Sequence, residues 1–243
     1  MKGELTMRKI AYTIIGIFVF SLLLMGTSYA QCLEPINASQ LVGINVRDVQ
    51  GLYMGQISDV VFNPSNDRVS SVILSDIPGM GTEHIAIPFD SLTRTGEFEF
   101  IFKPSDEAYS YFDASPLSPN WDQTLSLYKK DQPMLESGYR SSELLGARVE
   151  TPNGDNIAWA DDIVIDTAGG HVVYLILNDV GGTTDRMVAV PFSDLSKKSE
   201  NLFVLRETKD QILAAPAFSW DNSNDLAYAS QIYRYYGVQP YWE

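Results

Sequence analysis

Cysteine and histidine are nearly missing from this chain. Its 243 residues contain one Cys, Cys32, and two His, His84 and His171. A zinc site of the usual Cys/His type therefore has no raw material. No disulfide can close within the chain, and Cys32 is left with an intermolecular bond or an inert thiol. Positive charge is also scarce, with 17 Lys and Arg against 31 Asp and Glu and a formal charge of −14. Nucleic acids and anionic lipid surfaces are bound largely through Lys and Arg clusters, so neither is expected as a partner. The Gly-x-Ser-x-Gly turn of many hydrolases does not occur. Asp221-Asn-Ser-Asn-Asp225 has oxygens at alternate positions, but it lacks the Gly of a calcium loop, and Ile232 stands where a bidentate Glu is needed. It reads better as a helix cap. These gaps predict a protein that is not an enzyme and that carries no metal or cofactor.

The N-terminus does carry a signal. Arg8-Lys9, the apolar run Ile10–Met25 and then Thr27-Ser-Tyr-Ala30 have the three-part pattern of a secretory leader, so residues 1–30 are expected to be removed on export. The apolar run is 16 residues long, short of the roughly 20 that span a bilayer. Gln31 precedes Cys32 where lipid attachment wants a small residue, which argues against a lipoprotein. Without the leader, 14 basic and 30 acidic residues remain, a charge of −16. This balance suits simple solubility or a basic partner.

The rest of the chain is a duplication. Residues 39–92 align without a gap on 142–195 at a shift of 103, with 16 identities in 54 positions. Most identities are apolar or conformational: Leu41/Leu144, Val46/Val149, Val61/Val164, Val69/Val172, Ile73/Ile176, Gly43/Gly146 and Gly51/Gly154. The only matched charges are Asp59/Asp162 and Asp76/Asp179. Beside strand-like runs, these short carboxylates are expected to accept backbone N–H bonds in turns. The histidines are not matched, since His84 aligns with Met187 and His171 with Arg68, and this excludes a duplicated His site.

Short runs rich in Val, Ile and Phe, bounded by Gly, Pro, Asn and Asp, predict strands at 56–62, 69–74, 84–87 and 98–102, and again at 159–165, 172–177, 187–190 and 202–205. Strands at this spacing predict a small closed or partly closed barrel in each copy. Ser105-Asp-Glu and Thr208-Lys-Asp-Gln211 read as helix starts, the second as a capping box. The fold class is therefore mainly β: two tandem small barrels, each followed by short helical segments. Domain 1 is placed at 36–122, a polar linker at 123–138, domain 2 at 139–221, and an aromatic helix or tail at 222–243. Each copy is expected to fold alone, with Phe89 and Phe192 plugging the bases of their barrels.

Ala38-Ser-Gln-Leu-Val-Gly43 and Ser141-Ser-Glu-Leu-Leu-Gly146, the strand ends Ser58-Asp-Val-Val-Phe62 and Asp161-Asp-Ile-Val-Ile165, and Ile87-Pro-Phe89 with Val190-Pro-Phe192 together resemble the PRC-barrel family. Leu213-Ala-Ala-Pro-Ala-Phe218 is similar to the closing segment of bacterial members. The resemblance implies two PRC-type barrels related to the H subunit of the photosynthetic reaction centre and to the C-terminal domain of a ribosome-maturation factor. It also implies assembly or partner binding, with no shared catalytic residue.

The tail offers the one concentrated set of candidate contact residues. Leu226, Tyr228, Ile232, Tyr235 and Tyr236 fall near helical spacing, Gly237 would end the helix, and Tyr241-Trp242 follow Pro240. Tyr233, Tyr235, Tyr236, Tyr241 and Trp242 are the candidate partner-binding residues, because Tyr and Trp combine large area with a polar handle. The alternative is a helix packed back on its own barrel. The sequence thus predicts an exported, periplasmic or otherwise extracytoplasmic, interaction or assembly module with a protein partner, possible membrane association included. The rival readings are an accessory subunit of a membrane electron-transfer complex and a structural or envelope-stress protein with no fixed ligand.

Overall fold

The structure is a computed structural model that describes residues 35–82, 84–103 and 138–243. The expected leader, Cys32, the helix start at Ser105 and nearly all of the linker lie outside the described residues. The first copy runs β1 (Pro35–Asn37), α1 (Ala38–Leu41), β2 (Asn45–Arg47), β3 (Tyr53–Asn63), β4 (Arg68–Ser75), β5 (Ile85–Pro88), a 3-10 turn at Phe89–Ser91, β6 (Leu92–Gly96) and β7 (Glu99–Phe102). The second repeats the order as β8 (Tyr139–Arg140), α2 (Ser141–Leu144), β9 (Arg148–Glu150), β10 (Asn156–Asp166), β11 (His171–Asn178), β12 (Val188–Val190), a 3-10 turn at Phe192–Asp194, β13 (Leu195–Ser199) and β14 (Leu202–Leu205). Helices α3 (Lys209–Ala214) and α4 (Leu226–Tyr236) close the chain. No described helix is long and apolar enough to cross a membrane.

Strand order is the same in both copies: β6-β7-β2-β3-β4 with β5 on β4, and β13-β14-β9-β10-β11 with β12 on β11. The same small barrel topology is thus present twice. Helix α3 starts as its sequence predicts, since the Gln211 amide donates to Thr208 Oγ1 at 3.3 Å and the Thr208 amide to Gln211 Oε1 at 2.9 Å. Asp76 and Asp179 both sit at φ +53°, a left-handed turn conformation that Asp tolerates better than most residues.

The two copies are not separate bodies. Strand β1 of the first adds to β10 of the second, with Ile36 opposite Ile165, while β8 of the second adds to β3 of the first, with Tyr139 opposite Phe62. The hairpin turns interlock as well. The Val69 amide donates to the Gly170 carbonyl and the Val172 amide to the Asp67 carbonyl, both at 2.8 Å. Since Val69 matches Val172 and Asp67 matches Gly170, the contact is pseudo-two-fold, centred on the pair Arg68 and His171. One apolar cluster, from Ile36 to Ala215, draws on both copies. The expectation that each copy is self-sufficient gives way to a shared core, because each copy's first strand completes its neighbour's sheet.

Two further expectations change for the same reason. Phe89 and Phe192 are buried, at 3% and 1% exposure, but they lie at the seam instead of at barrel bases. Phe192 packs on Phe62 of the other copy at 5.5 Å between centroids. Phe89 lies so close to Gly170 that a Cβ there would stand 2.8 Å from its ring. Asp59 and Asp162 each accept one N–H close by in their own strand, yet most of their bonds cross to the opposite copy. Asp59 accepts from Ser141 Oγ (2.5 Å), Ser142 Oγ (2.6 Å) and the Ser142 amide (3.1 Å), and Asp162 accepts from the Ser39 hydroxyl and, at 3.1 Å, the Ser39 amide.

Strand β11 reads His-Val-Val-Tyr-Leu-Ile-Leu-Asn and is apolar on both faces. Val172, Leu175 and Leu177 enter the shared core, while Val173, Tyr174 and Ile176 enter a second cluster under α4. At the positions of Val173 and Tyr174 the matching strand β4 has Ser70 and Ser71, so the apolar platform for α4 exists only in the second copy.

Candidate functional site

The C-terminal aromatics are placed by α4. Asp225 caps the helix by accepting from the Ala227 amide at 2.8 Å, and Gly237 ends it at φ +70°. Ala229, Ile232 and Tyr228 then face the sheet. Tyr233 is 4% exposed, and its hydroxyl donates to the Val173 carbonyl at 2.8 Å. Trp242 packs edge-on against Tyr233 at 5.0 Å. Tyr241 stacks on His171 at 4.1 Å and donates to Asp166 Oδ2 at 3.0 Å. Tyr236 is half-buried, and the most exposed of the five, Tyr235, donates to the Gln211 carbonyl at 2.7 Å. The candidate set is thus brought together, but most of it is engaged in holding α4 and the tail against the barrel.

Neither histidine is placed as a catalytic base. His84 is exposed, and the face of His171 is covered by Tyr241. Burial, and then the Arg68 charge, push His171 below the usual imidazole range. Among the described residues no group of three or more His, Cys, Asp or Glu side chains is arranged to hold a metal ion.

A more open site lies where the first copy meets the tail of the second. A groove of about 560 Å³ is lined by Pro35, Ile36, Asn37 and Gln40, by Arg94, Glu97 and Phe98 of the β6–β7 hairpin, and by Trp220, Ser223 and Asn224. Phe98 is 55% exposed and Trp220 36%, although both are large apolar side chains. Local structure holds them there. Arg94 grips the hairpin tip, donating from Nε to the Gly96 carbonyl (3.0 Å) and from Nη2 to the Glu97 carbonyl (3.1 Å), and it reaches the Pro35 carbonyl at 3.4 Å. Trp220 opens a 3-10 turn whose Asn222 amide donates to the Ser219 carbonyl at 2.9 Å, and its ring rests edge-on against Phe218 at 4.9 Å.

The second copy provides an internal comparison. Lys197 replaces Arg94, Glu143 replaces Gln40 and Asn201 replaces Phe98. Lys197 pairs with Glu143 at 2.7 Å, and its amide bonds the Tyr139 hydroxyl. Among the described residues an ion pair and Asn201 thus stand where the first copy has Arg94, Gln40 and the exposed ring of Phe98. The sequence reading places Phe98 in one more predicted strand and does not single out Trp220. The signal was the departure of Phe98 from its partner Asn201, not any identity between copies.

Chemically, the groove presents two aromatic faces, side-chain amides, one carboxylate and a guanidinium that is already committed to the hairpin. That set suits docking of a chain segment with an apolar anchor and polar flanks. A model of the PRC-barrel domain matches the chain at residues 34–107 and again at 136–212. No curated protein matches it.

Proposed function

Because the chain belongs to the PRC-barrel family through both of its copies, we propose that it is an exported, non-catalytic module that binds a protein partner in the groove between Phe98 and Trp220. One observation carries this reading: two large apolar rings, rigidly supported, are left in water on either side of one groove. Exposed aromatic anchors of this kind mark binding surfaces. The leader at 1–30 supports export, and intact-mass analysis of the native protein is expected to find Gln31, or its cyclised form, at the start. A chain that keeps Met1 would refute that part.

The partner site is tested with a photo-reactive residue placed at Phe98, at Trp220 or, as an exposed control outside the groove, at Trp159. One discrete adduct from the first two positions and none from the third is the expected pattern. Equal labelling at all three, or no adduct at the groove, would overturn it. The identity of the adduct then separates an accessory subunit of a membrane complex from a free envelope protein.

A further inference from the structure

Both exposed rings of the groove have carboxylates as chain neighbours. Glu97 and Glu99 stand on either side of Phe98, and Asp221 follows Trp220. All three are exposed. Among the described residues no ion pair or hydrogen bond engages their side chains, and Glu97 itself lines the groove. Arg94, the single cation among the described lining residues, is turned to the chain's own backbone and donates to the carbonyls of Gly96, Glu97 and Pro35. Aromatic faces therefore lie beside carboxylates that the fold leaves unpaired.

The duplication shows that the hairpin does not require this combination. Residues 92–102 hold one cation, Arg94, and two carboxylates, Glu97 and Glu99. The matching residues 195–205 hold two cations, Lys197 and Lys198, and one carboxylate, Glu200, with Asn201 in place of Phe98. Those lysines are taken up by Glu143 and Glu150. The first copy has thus acquired a ring and reversed the charge at the same place. We infer, resting on the groove reading, that the groove takes a basic segment of its partner protein, with an Arg or Lys side chain laid against Phe98 or Trp220 and its charge held by Glu97. The methylene stem of that side chain is the apolar anchor. An aromatic face attracts a guanidinium or ammonium through its quadrupole, and a carboxylate beside it adds an attraction that strengthens as the partner excludes water. A purely apolar anchor gains nothing from the carboxylates, and an acidic one is repelled. The excess of acid over the whole chain, 31 Asp and Glu against 17 Lys and Arg, acts in the same direction at longer range.

The photo-reactive residue at Trp220, used on the full chain in its native envelope, tests this when combined with charge exchange at Glu97. Glu97 bonds the hairpin only through its backbone carbonyl, so Glu97→Lys leaves the grip of Arg94 in place. Glu200→Lys makes the same change of net charge at the matching exposed position of the second copy, which does not line the groove. Adduct yield is expected to fall about tenfold in Glu97→Lys, where an attractive pair becomes a repulsive one, and about threefold in Glu97→Gln. In Glu200→Lys it should stay within about twofold of the parent. The partner peptide carried by the adduct, read by mass spectrometry, should hold an Arg or Lys next to the point of attachment. Should Glu97→Lys fail to fold, Glu97→Gln against Glu200→Lys decides by the same comparison. Equal yields in the Glu97 and Glu200 variants, or attachment in a segment without Arg or Lys, would overturn the basic occupant and leave the groove standing. Absence of any adduct from the parent chain overturns the groove, and the basic occupant with it.

Discussion

The heaviest polar demand at the seam falls on Asp59. Its carboxylate, 7% exposed, accepts from the Val60 amide (2.9 Å), the Ser142 amide (3.1 Å), Ser141 Oγ (2.5 Å) and Ser142 Oγ (2.6 Å). In Asp59→Ala the two hydroxyls can turn to other partners and the Val60 amide keeps Ser141 Oγ at 3.2 Å, but the Ser142 amide loses its acceptor. An amide left unbonded costs about 1–3 kcal/mol, so the loss is about 2 kcal/mol. For a folded unit of this size about 2–4 °C of melting temperature goes with each kcal/mol, which gives a fall of about 6 °C. Asp162→Ala should cost a similar amount. Asp162 accepts from one serine across the seam and from the Ile163 amide, and burial already disfavours its charged form.

Asp90→Ala is the control. Asp90 pairs with Arg68 at 3.0 Å, but its side chain is 75% exposed, and such pairs contribute about 0–1 kcal/mol. Thermal unfolding followed by circular dichroism should show a larger effect for Asp59→Ala and for Asp162→Ala than for Asp90→Ala. The double variant Asp59→Ala/Asp162→Ala should split one cooperative transition into two. If Asp59→Ala melts within 2 °C of Asp90→Ala, a figure that corresponds to roughly 1 kcal/mol, the carboxylate ties carry no weight and the apolar seam alone joins the copies.

Phe89→Ala and Phe192→Ala should each cost about 3–5 kcal/mol and lower the same single transition, because both rings serve the shared seam; an unchanged midpoint in either would show that ring to be dispensable. Residues 36–122 and 139–243, produced separately, should unfold without cooperativity and regain it when mixed, and cooperative melting of either alone would restore the two-domain view. Tyr233→Phe should cost about 1 kcal/mol by removing the bond to the Val173 carbonyl while leaving helix content intact. Denaturant stability should be greater at pH 5.5 than at pH 8.0, since the raised acids Glu207 and Asp67 favour the folded state only while protonated; the opposite trend would mean that other ionisations dominate.

The barrels were legible in the sequence because their determinants are local. Alternating Val and Ile between Gly and Asp turns set out the strands, the Thr208–Gln211 spacing marked α3, and Gly237 marked the end of α4. The identity of Asp59 with Asp162 was just as visible, but its meaning was not. A conserved turn carboxylate and a carboxylate tied to the opposite copy look alike in one dimension, and only the folded chain brings Ser142 to Asp59. The shared core was hidden for a related reason. A polar linker and a gapless repeat describe a chain that folds twice just as well as one that folds once around a pseudo-two-fold axis.

What the repeat obscured most was function, because identities between copies select whatever both barrels need. Phe98, Glu99 and Trp220 are all departures from their partners or lie beyond the alignment. Each alone is an unremarked surface or turn residue. They acquire a role only where the second copy's tail crosses to the first copy. In a duplicated chain, then, the shared residues account for the fold, and the search for activity belongs with the residues the copies do not share. The groove satisfies that criterion, and it would be removed by restoring the other copy's residue, Phe98→Asn. If this exchange leaves stability near that of the parent yet removes partner labelling, the asymmetry between copies is where the protein's work is done. A loss of folding would assign Phe98 to the scaffold instead.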